Sequence, residues 1–250
     1  DAVSCLRHLG AMGFTRFELL LTAPHLWPAH AGAAERARLS ATALSLDATI
    51  VSLNAGGFDN NLASPASDVR RFAIEYLRRV IDLASDLGGA GVVMSPGVGR
   101  PLLTPPREWL AGWFRSAMDE LVPLAQRRGV RLLLENIPFA FLPRASDVMA
   151  AVAPYPAEQV GLVYDVANAA FIREDPMAGV ATLRSRLALV PLSDTPLDIW
   201  RHDEIGTGVV NFAVGEVMML GAYLSYASAV TFELPPWLSF LIAMGVIAAR

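Results

Sequence analysis

Short apolar runs recur along the whole chain, and segments with helical periodicity separate them. An apolar run of about four to eight residues bounded by turn residues predicts a buried strand. Seven runs of this kind are visible, at residues 17–21, 49–54, 91–95, 132–135, 162–165, 187–192 and 230–233. Strands that alternate with helices predict parallel pairing, because a parallel neighbour is reached only through a long crossover connection. The sequence therefore predicts an α/β fold built on a parallel sheet.

The segments between these runs carry helix signals. Apolar residues recur every three or four positions over residues 67–87, and Gly88 follows as a stop signal. Thr104 is expected to cap a second helix, which runs to Arg128 and is kinked at Pro123.

Chain length and strand number together favour a (β/α)₈ barrel, also called a TIM barrel. The chain has 250 residues, which is the usual size of one such barrel. No low-complexity linker divides it, so we expect a single domain over residues 1–250. Seven strands are one too few, and the helix predicted at residues 3–12 should follow a strand. We infer that the first strand of the barrel lies upstream of Asp1, since the sequence starts with Asp rather than Met.

Composition limits the partners and the compartment. The net charge of −4 argues against a nucleic-acid partner, which would need a basic surface. Cys5 is the only cysteine, so an intrachain disulfide is impossible and a reducing, cytoplasmic location is expected. The longest apolar stretch, residues 237–249, is too short for a membrane span. We expect it to pack on the barrel or on a second copy of the chain, in a homo-oligomer.

Three of the apolar runs end in a carboxylate: Glu135, Asp165 and Glu233. The C-terminal ends of barrel strands meet at one face, so these acids are expected to converge there. Converging carboxylates can ligate a hard divalent cation or remove a proton next to a carbonyl group. Each acid alone has another interpretation. Glu135 could form a salt bridge or cap a helix, Asp165 could cap the following helix, and Glu233 could lie at an edge before Pro235.

Polar residues follow other strands of the predicted barrel. Asn54 and Ser95 could each bind a substrate hydroxyl group or simply bond to nearby backbone. His25 follows the first visible strand and is expected to line the mouth of the site. His202 is either a substrate contact or a solvated histidine. The glycines at 206–208 form either a phosphate-binding loop or a tight turn.

Several stretches together resemble the xylose-isomerase-like superfamily of sugar isomerases and epimerases, which also includes endonuclease IV. They lie at residues 131–136, 161–169, 192–195, 201–208 and 232–233, and the resemblance covers about residues 3–235. It implies a TIM barrel in which a Glu, an Asp, a His and a second Glu hold a divalent metal. Glu135, Asp165 and Glu233 match three of these ligands, but Pro191 stands at the position of the histidine.

Other positions also match or depart from the family pattern. His202 matches a position that contacts the substrate or the metal in relatives. Relatives with several zinc ions have histidines where this chain has Ser95 and Asn168. A trinuclear zinc site and cleavage of DNA are therefore not expected, and Asn168 is expected to contact the substrate instead.

These observations lead to a hypothesis about the reaction. We expect an isomerase or epimerase that acts on a sugar or a polyol-derived ketose. A divalent metal (Mn²⁺, Mg²⁺ or Zn²⁺) would stabilise an enediolate, and Asp165 would be mainly a ligand of that metal. Glu135 and Glu233 would serve both as ligands and as the pair that removes and returns the proton. Two alternatives stay open: a dehydratase of cyclic hydroxy-ketones, and a degenerate barrel that only binds a small ligand, which Pro191 favours.

Overall fold

Six parallel strands form one sheet and stand in it in chain order. The computed structural model describes residues 1–56, 60–99 and 102–210. The strands are β1 (Arg16–Leu20), β2 (Thr49–Asn54), β3 (Gly91–Met94), β4 (Leu132–Glu135), β5 (Val160–Val163) and β6 (Leu187–Leu189). This order is that of consecutive strands in an incomplete (β/α)₈ barrel, as predicted.

At least one helix lies in every connection between these strands. The helices are α1 (Ala2–Ala11), α2 (Ala33–Ser45), α3 (Ser67–Asp86), α4 (Arg107–Arg127), α5 (Ala145–Val152), α6 (Val166–Phe171) and α7 (Pro176–Leu183). As expected, α1 precedes the first visible strand. The strand inferred upstream of Asp1 stays a prediction.

Several predicted element boundaries differ from the observed ones by one to three residues, and proline explains two of the differences. Helix α4 begins at Arg107 with Pro106 as its N-cap residue, so the cap predicted at Thr104 is wrong. Pro106 has an extended backbone conformation, so the helix begins only after Pro105 and Pro106. Strand β6 ends at Leu189, short of the predicted end at residue 192, since Pro191 has no N–H group for a sheet ladder.

The chain divides into two compact units, Asp1–Pro191 and Leu192–Arg250. All six strands and all seven helices named above lie in the first unit. In the described part of the second unit, Asp194 and Asp203 pair through an antiparallel bridge. The single domain over residues 1–250 remains a prediction. The predicted strand at 230–233 and the apolar stretch at 237–249, on which the homo-oligomer depends, lie outside the described residues.

Both faces of the sheet are covered by apolar side chains. On the inner face Val93, Leu133 and Val163 form a buried layer, and Leu189 packs against it. The residues that alternate with them, such as Leu132 and Leu162, are buried on the opposite, helix-covered face. Among the described helices, none is long and apolar enough to cross a membrane.

Candidate functional site

Two acids lie at the C-terminal ends of the neighbouring strands β4 and β5. Glu135 is the last residue of β4, and Asp165 follows the end of β5 by two residues. Each acid comes two positions after a residue of the inner apolar layer, Leu133 or Val163. Because side chains alternate along a strand, Glu135 lies on the inner face, above this layer.

Burial and charge act together on Glu135. The side chain is half-buried, and burial is the main cause that raises the pKa of its carboxyl group to about 8. The negative charges of Asp165 and Glu18 raise this pKa further. Both influences favour the protonated form of Glu135 when no cation is near. An acid with a pKa near the working pH can both accept and return a proton.

A side-chain amide joins the ends of these two strands. The fully buried Asn136 accepts a hydrogen bond from the backbone N–H of Asp165 at 2.7 Å and donates one to its carbonyl oxygen at 3.1 Å. Asn168 donates from its side chain to the carbonyl oxygen of Asn136 at 2.9 Å. The side-chain amide of Asn136 thus makes the two hydrogen bonds that a backbone peptide group would make in a sheet. It does so just beyond Glu135 and Val163, the last paired residues of β4 and β5. This arrangement fixes the spacing of the two acidic strand ends.

Asp165 also begins the next helix. Its Oδ1 atom accepts a hydrogen bond from the backbone N–H of Asn168 at 2.9 Å, which makes it the N-cap residue of α6. Helix capping was one of the two interpretations of this acid. A carboxylate has two oxygens, so a capping role through Oδ1 is compatible with ligation of a cation.

Glu18 is a third acid of this region, and the sequence analysis did not single it out. It lies on β1, and its oxygens accept hydrogen bonds from Ser52 Oγ at 2.5 Å and Asn54 Nδ2 at 3.2 Å. Its charge contributes to the raised pKa of Glu135. The available sequence signal was an acid within the apolar run at residues 17–21. Placing a charged side chain in a buried strand costs free energy unless it has hydrogen-bond partners.

The other predicted site residues of the first unit have the following partners. Asn54 Oδ1 accepts from the backbone N–H of Gly56 at 2.9 Å, and Ser95 Oγ accepts from that of Gly97 at 3.1 Å. Both side chains therefore shape the turns after their strands. His25 is half-buried beside the start of α1, where its carbonyl oxygen accepts from Ala2 at 3.1 Å. Burial lowers the pKa of His25.

His202, the predicted site residue in the described part of the second unit, is exposed. Its Nδ1 atom and Ser193 Oγ form a hydrogen bond of 2.8 Å, and its ring lies edge-on to Trp200 at 5.5 Å between centroids. In the same unit Asp194 accepts a backbone hydrogen bond from Gly206 at 2.9 Å. The glycine segment at 206–208 therefore forms a turn around a carboxylate.

An apolar cavity of about 600 Å³ lies between the loops that follow β3 and β4. These loops pair through an antiparallel bridge between Val98 and Ala140. Phe139 and Phe141 form part of the cavity wall, and Arg107 lies at its edge with an ion pair to Asp147 at 2.5 Å. In TIM barrels the loops at the C-terminal ends of the strands carry the functional site, and this cavity lies among loops of that kind.

The described residues supply two of the three predicted metal ligands. Glu135 and Asp165 offer carboxylate oxygens, which suit hard ions such as Mg²⁺ and Mn²⁺. Within residues 1–56, 60–99 and 102–210, no three His, Cys, Asp or Glu side chains form a group that could hold a metal ion. The third predicted ligand, Glu233, lies outside these ranges. The donors present fit part of a hard-cation site.

Solved structures with similar folds include several sugar epimerases. A D-tagatose 3-epimerase-like protein is 22% identical with a TM-score of 0.72, and the match covers 83% of this chain and 79% of that one. D-psicose 3-epimerase from Clostridium cellulolyticum H10, solved with D-tagatose, is 16% identical with a TM-score of 0.70 and coverage of 92% and 77%. The 3-keto-D-glucoside 4-epimerase YcjR from E. coli is 14% identical with a TM-score of 0.69 and coverage of 100% and 95%. At these identities the likeness establishes the fold.

The family follows from the sequence match. No curated protein sequence is significantly similar to this chain. The model of the xylose isomerase-like TIM barrel family, however, matches residues 6–219, which is most of the chain. The parallel strands β1–β6 and their helices all lie within or next to this match. The chain therefore belongs to the xylose isomerase-like TIM barrel family.

Proposed function

We propose that the chain is an isomerase or epimerase of a sugar or polyol-derived ketose, with Glu135 as an acid–base residue. The observation that carries the proposal is the position of Glu135 and Asp165. These acids lie at the ends of adjacent strands, with Glu135 on the inner face of the sheet, and the Asn136 amide fixes their backbones. Several solved structures with similar folds are sugar epimerases, which agrees with a carbohydrate-like substrate.

Glu135 would remove the proton from the carbon next to the carbonyl group. The C–H bond breaks, its electron pair moves towards the carbonyl oxygen, and the proton goes to the Glu135 carboxylate. The half-buried position of this carboxylate favours its protonated form, so it can hold the proton for return. Return of this proton to the neighbouring carbon gives an isomer, whereas protonation of the first carbon on its other face by a second acid gives an epimer.

Glu233 is the second carboxylate of the proposal. Its role rests on its position at the end of an apolar run and on the resemblance to the family, since it lies outside the described residues. It would donate a proton of its own to the carbon from the opposite face, while the proton that was removed stays on Glu135. His202 would hold a substrate oxygen, and Asp165 would bind the cation.

A divalent cation would supply Lewis-acid polarisation of the substrate carbonyl group when it is bound. Glu135 and Asp165 would hold it through carboxylate oxygens. Because both ligands are hard oxygen donors, Mn²⁺ or Mg²⁺ suits them better than Zn²⁺ does.

Pro191 favours a second candidate function. It stands where the family pattern has a histidine ligand, and proline offers no donor atom to a metal. A barrel with a weakened metal site could bind a small ligand without turning it over. Metal content after purification discriminates: bound metal in a one-to-one ratio supports the enzyme, and none after soaking with Mn²⁺ supports ligand binding alone.

Hydrogen exchange from solvent tests the proposed reaction directly. The protein would be incubated in D₂O with Mn²⁺ and with D-tagatose, D-fructose or D-allulose. We expect deuterium at the carbon next to the carbonyl group of at least one ketose, detected by NMR. Chelation of the metal should stop the incorporation, and added Mn²⁺ should restore it. Absence of deuterium from every ketose, with Mn²⁺ bound in a one-to-one ratio, would show that the proposal is wrong.

A further inference from the structure

Glu18 lies on the inner side of the sheet, and a register shift between β1 and β2 determines which residue lies beside it. Phe17 pairs with Ile50, but the next residue, Glu18, pairs with Ser52 and skips Val51. Without the shift, Glu18 would lie beside an apolar side chain. The shift instead gives it a hydroxyl partner. Bulges of this kind often occur next to active sites, where they redirect a side chain.

Two donors hold the Glu18 carboxylate, one on each oxygen. The fully buried Ser52 donates to Oε2, and Asn54 donates to Oε1 while its own oxygen is held by Gly56. The carboxylate is thereby fixed in position. Each of its oxygens still has a lone pair that can accept a further hydrogen bond.

The side chain of Glu18 remains exposed although it lies on the inner side of the sheet. Arginine and histidine side chains form no ion pair with it within the described ranges. A fixed and accessible carboxylate is an acceptor for hydroxyl groups, which are the most abundant donors of a carbohydrate. The strand pairings place Glu18 on the same face of the sheet as Glu135, and its charge contributes to the raised pKa of Glu135.

We propose that Glu18 is a substrate-binding residue, whose carboxylate accepts a hydrogen bond from a ketose hydroxyl group while Ser52 and Asn54 hold it in place. This inference rests on the proposed function and deepens it. Glu18 stands on β1, three strands away from β4 in the sheet, so it contacts a part of the substrate other than the carbon that Glu135 deprotonates. Glu18 therefore contributes to the choice between ketoses, and the chemical step proceeds at Glu135.

The test is a thermodynamic cycle that combines one substitution in the protein with the removal of one hydroxyl group from the ketose. The probe is whichever of D-tagatose, D-fructose and D-allulose exchanges fastest in D₂O, together with its single-deoxy analogues. Calorimetry with Mn²⁺ present would measure the dissociation constants for the unsubstituted protein and for Glu18→Gln. The matched control is Glu158→Gln, an exposed glutamate between α5 and β5.

We expect Glu18→Gln to weaken binding of the ketose about ten- to hundredfold, as for loss of a hydrogen bond to a charged group. For one deoxy analogue the two proteins should bind equally, because the group that contacts Glu18 is gone. Glu158→Gln should change neither constant. The value of kcat should fall less than the affinity does.

Two results would overturn the assignment of Glu18. One is an unchanged affinity of Glu18→Gln for the ketose, and the other is an equal loss for the ketose and every deoxy analogue. If circular dichroism shows that Glu18→Gln does not fold, Glu18→Asp replaces it in the same cycle. Aspartate retains the negative charge, but its side chain is one methylene group shorter. Deuterium exchange separates the two proposals. If the unsubstituted protein neither binds a ketose nor catalyses exchange, both proposals are wrong. If it catalyses exchange and Glu18→Gln binds the ketose with unchanged affinity, only the role of Glu18 is wrong.

Discussion

A single carboxylate, Asp194, organises the described part of the second unit. It is fully buried and accepts backbone hydrogen bonds from Thr195 at 2.9 Å, Gly206 at 2.9 Å and Val210 at 2.8 Å. Burial alone would raise the pKa of Asp194, but these bonds and one from Gly208 outweigh it and lower the pKa. The ionised acid therefore stabilises this loop.

Asp194→Asn should loosen the loop, because an amide N–H₂ then faces backbone N–H donors. We expect the hydrogen-exchange protection of the Gly206 and Val210 amides to fall at least about tenfold at neutral pH. The pKa of Asp194 is lowered in the folded state, so its stabilising contribution is present above the ordinary value of 3.8. That contribution is lost as the pH falls through the lower folded-state value.

The two proteins should therefore become alike in acid, and mass-resolved exchange at several pH values would measure this convergence. The control is Asp198→Asn, an exposed acid in the same unit, which should alter protection at no pH. A difference between Asp194→Asn and the unsubstituted protein that persists unchanged in acid would contradict the role of the carboxylate.

At the scale of elements, the buried amide of Asn136 joins the ends of β4 and β5. Asn136→Ala removes both of its hydrogen bonds to the backbone of Asp165 and leaves two buried groups unpaired. We expect the free energy of unfolding to fall by about 2 kcal/mol or more, measured by urea denaturation. Gln126→Ala, which truncates an exposed amide on α4, should change it by no more than about 0.5 kcal/mol. Equal effects of the two substitutions would show that Asn136 does not join the strands.

The packing of α7 against Tyr164, which follows β5, depends on a glycine. A Cβ atom at Gly179 would lie 1.8 Å from the hydroxyl oxygen of the buried Tyr164, which donates to Glu174 at 3.2 Å. Gly179→Ala should therefore lower the free energy of unfolding by about 1–3 kcal/mol. Gly112→Ala on α4 is the matched control, since its Cβ would meet nothing within 4 Å, and it should stabilise by up to about 1 kcal/mol. Similar values for both substitutions in urea denaturation would refute the steric role of Gly179.

The first six strands could be predicted because each buried strand is an apolar run between turns, and this pattern is local in sequence. The acids Glu135 and Asp165 could be predicted for the same reason, since they end such runs. Glu18 could not be found in this way. Its partner Ser52 is set by a register shift between two strands, and an apolar pattern does not encode that shift.

The polar contacts of the site depend on tertiary structure. Asn136 and Asn168 bond to backbone groups about 30 residues away, at the end of a neighbouring strand or helix. No spacing rule connects such residues in sequence. The boundaries of α4 and β6 failed for a different reason, because proline geometry decides where each element begins or ends.

For the whole molecule, a parallel sheet in chain order brings residues from distant segments to one face. Glu18, Glu135 and Asp165 come from three separate strands or strand ends, and the charge of each of the other two acts on Glu135. The central claim is that this arrangement transfers a proton at the carbon next to a ketose carbonyl group. Glu135 is the residue on which that claim depends.

Deuterium incorporation by Glu135→Gln tests the claim most directly. The rate of incorporation would be measured in D₂O with saturating Mn²⁺ and the ketose that exchanges fastest. The unsubstituted protein and Glu158→Gln would be measured in parallel. Metal content of all three would be determined in the same samples. A general base contributes about 10²- to 10⁴-fold, so Glu135→Gln should slow incorporation at least a hundredfold, while Glu158→Gln should not change it. Incorporation by Glu135→Gln at the rate of the unsubstituted protein would contradict the account.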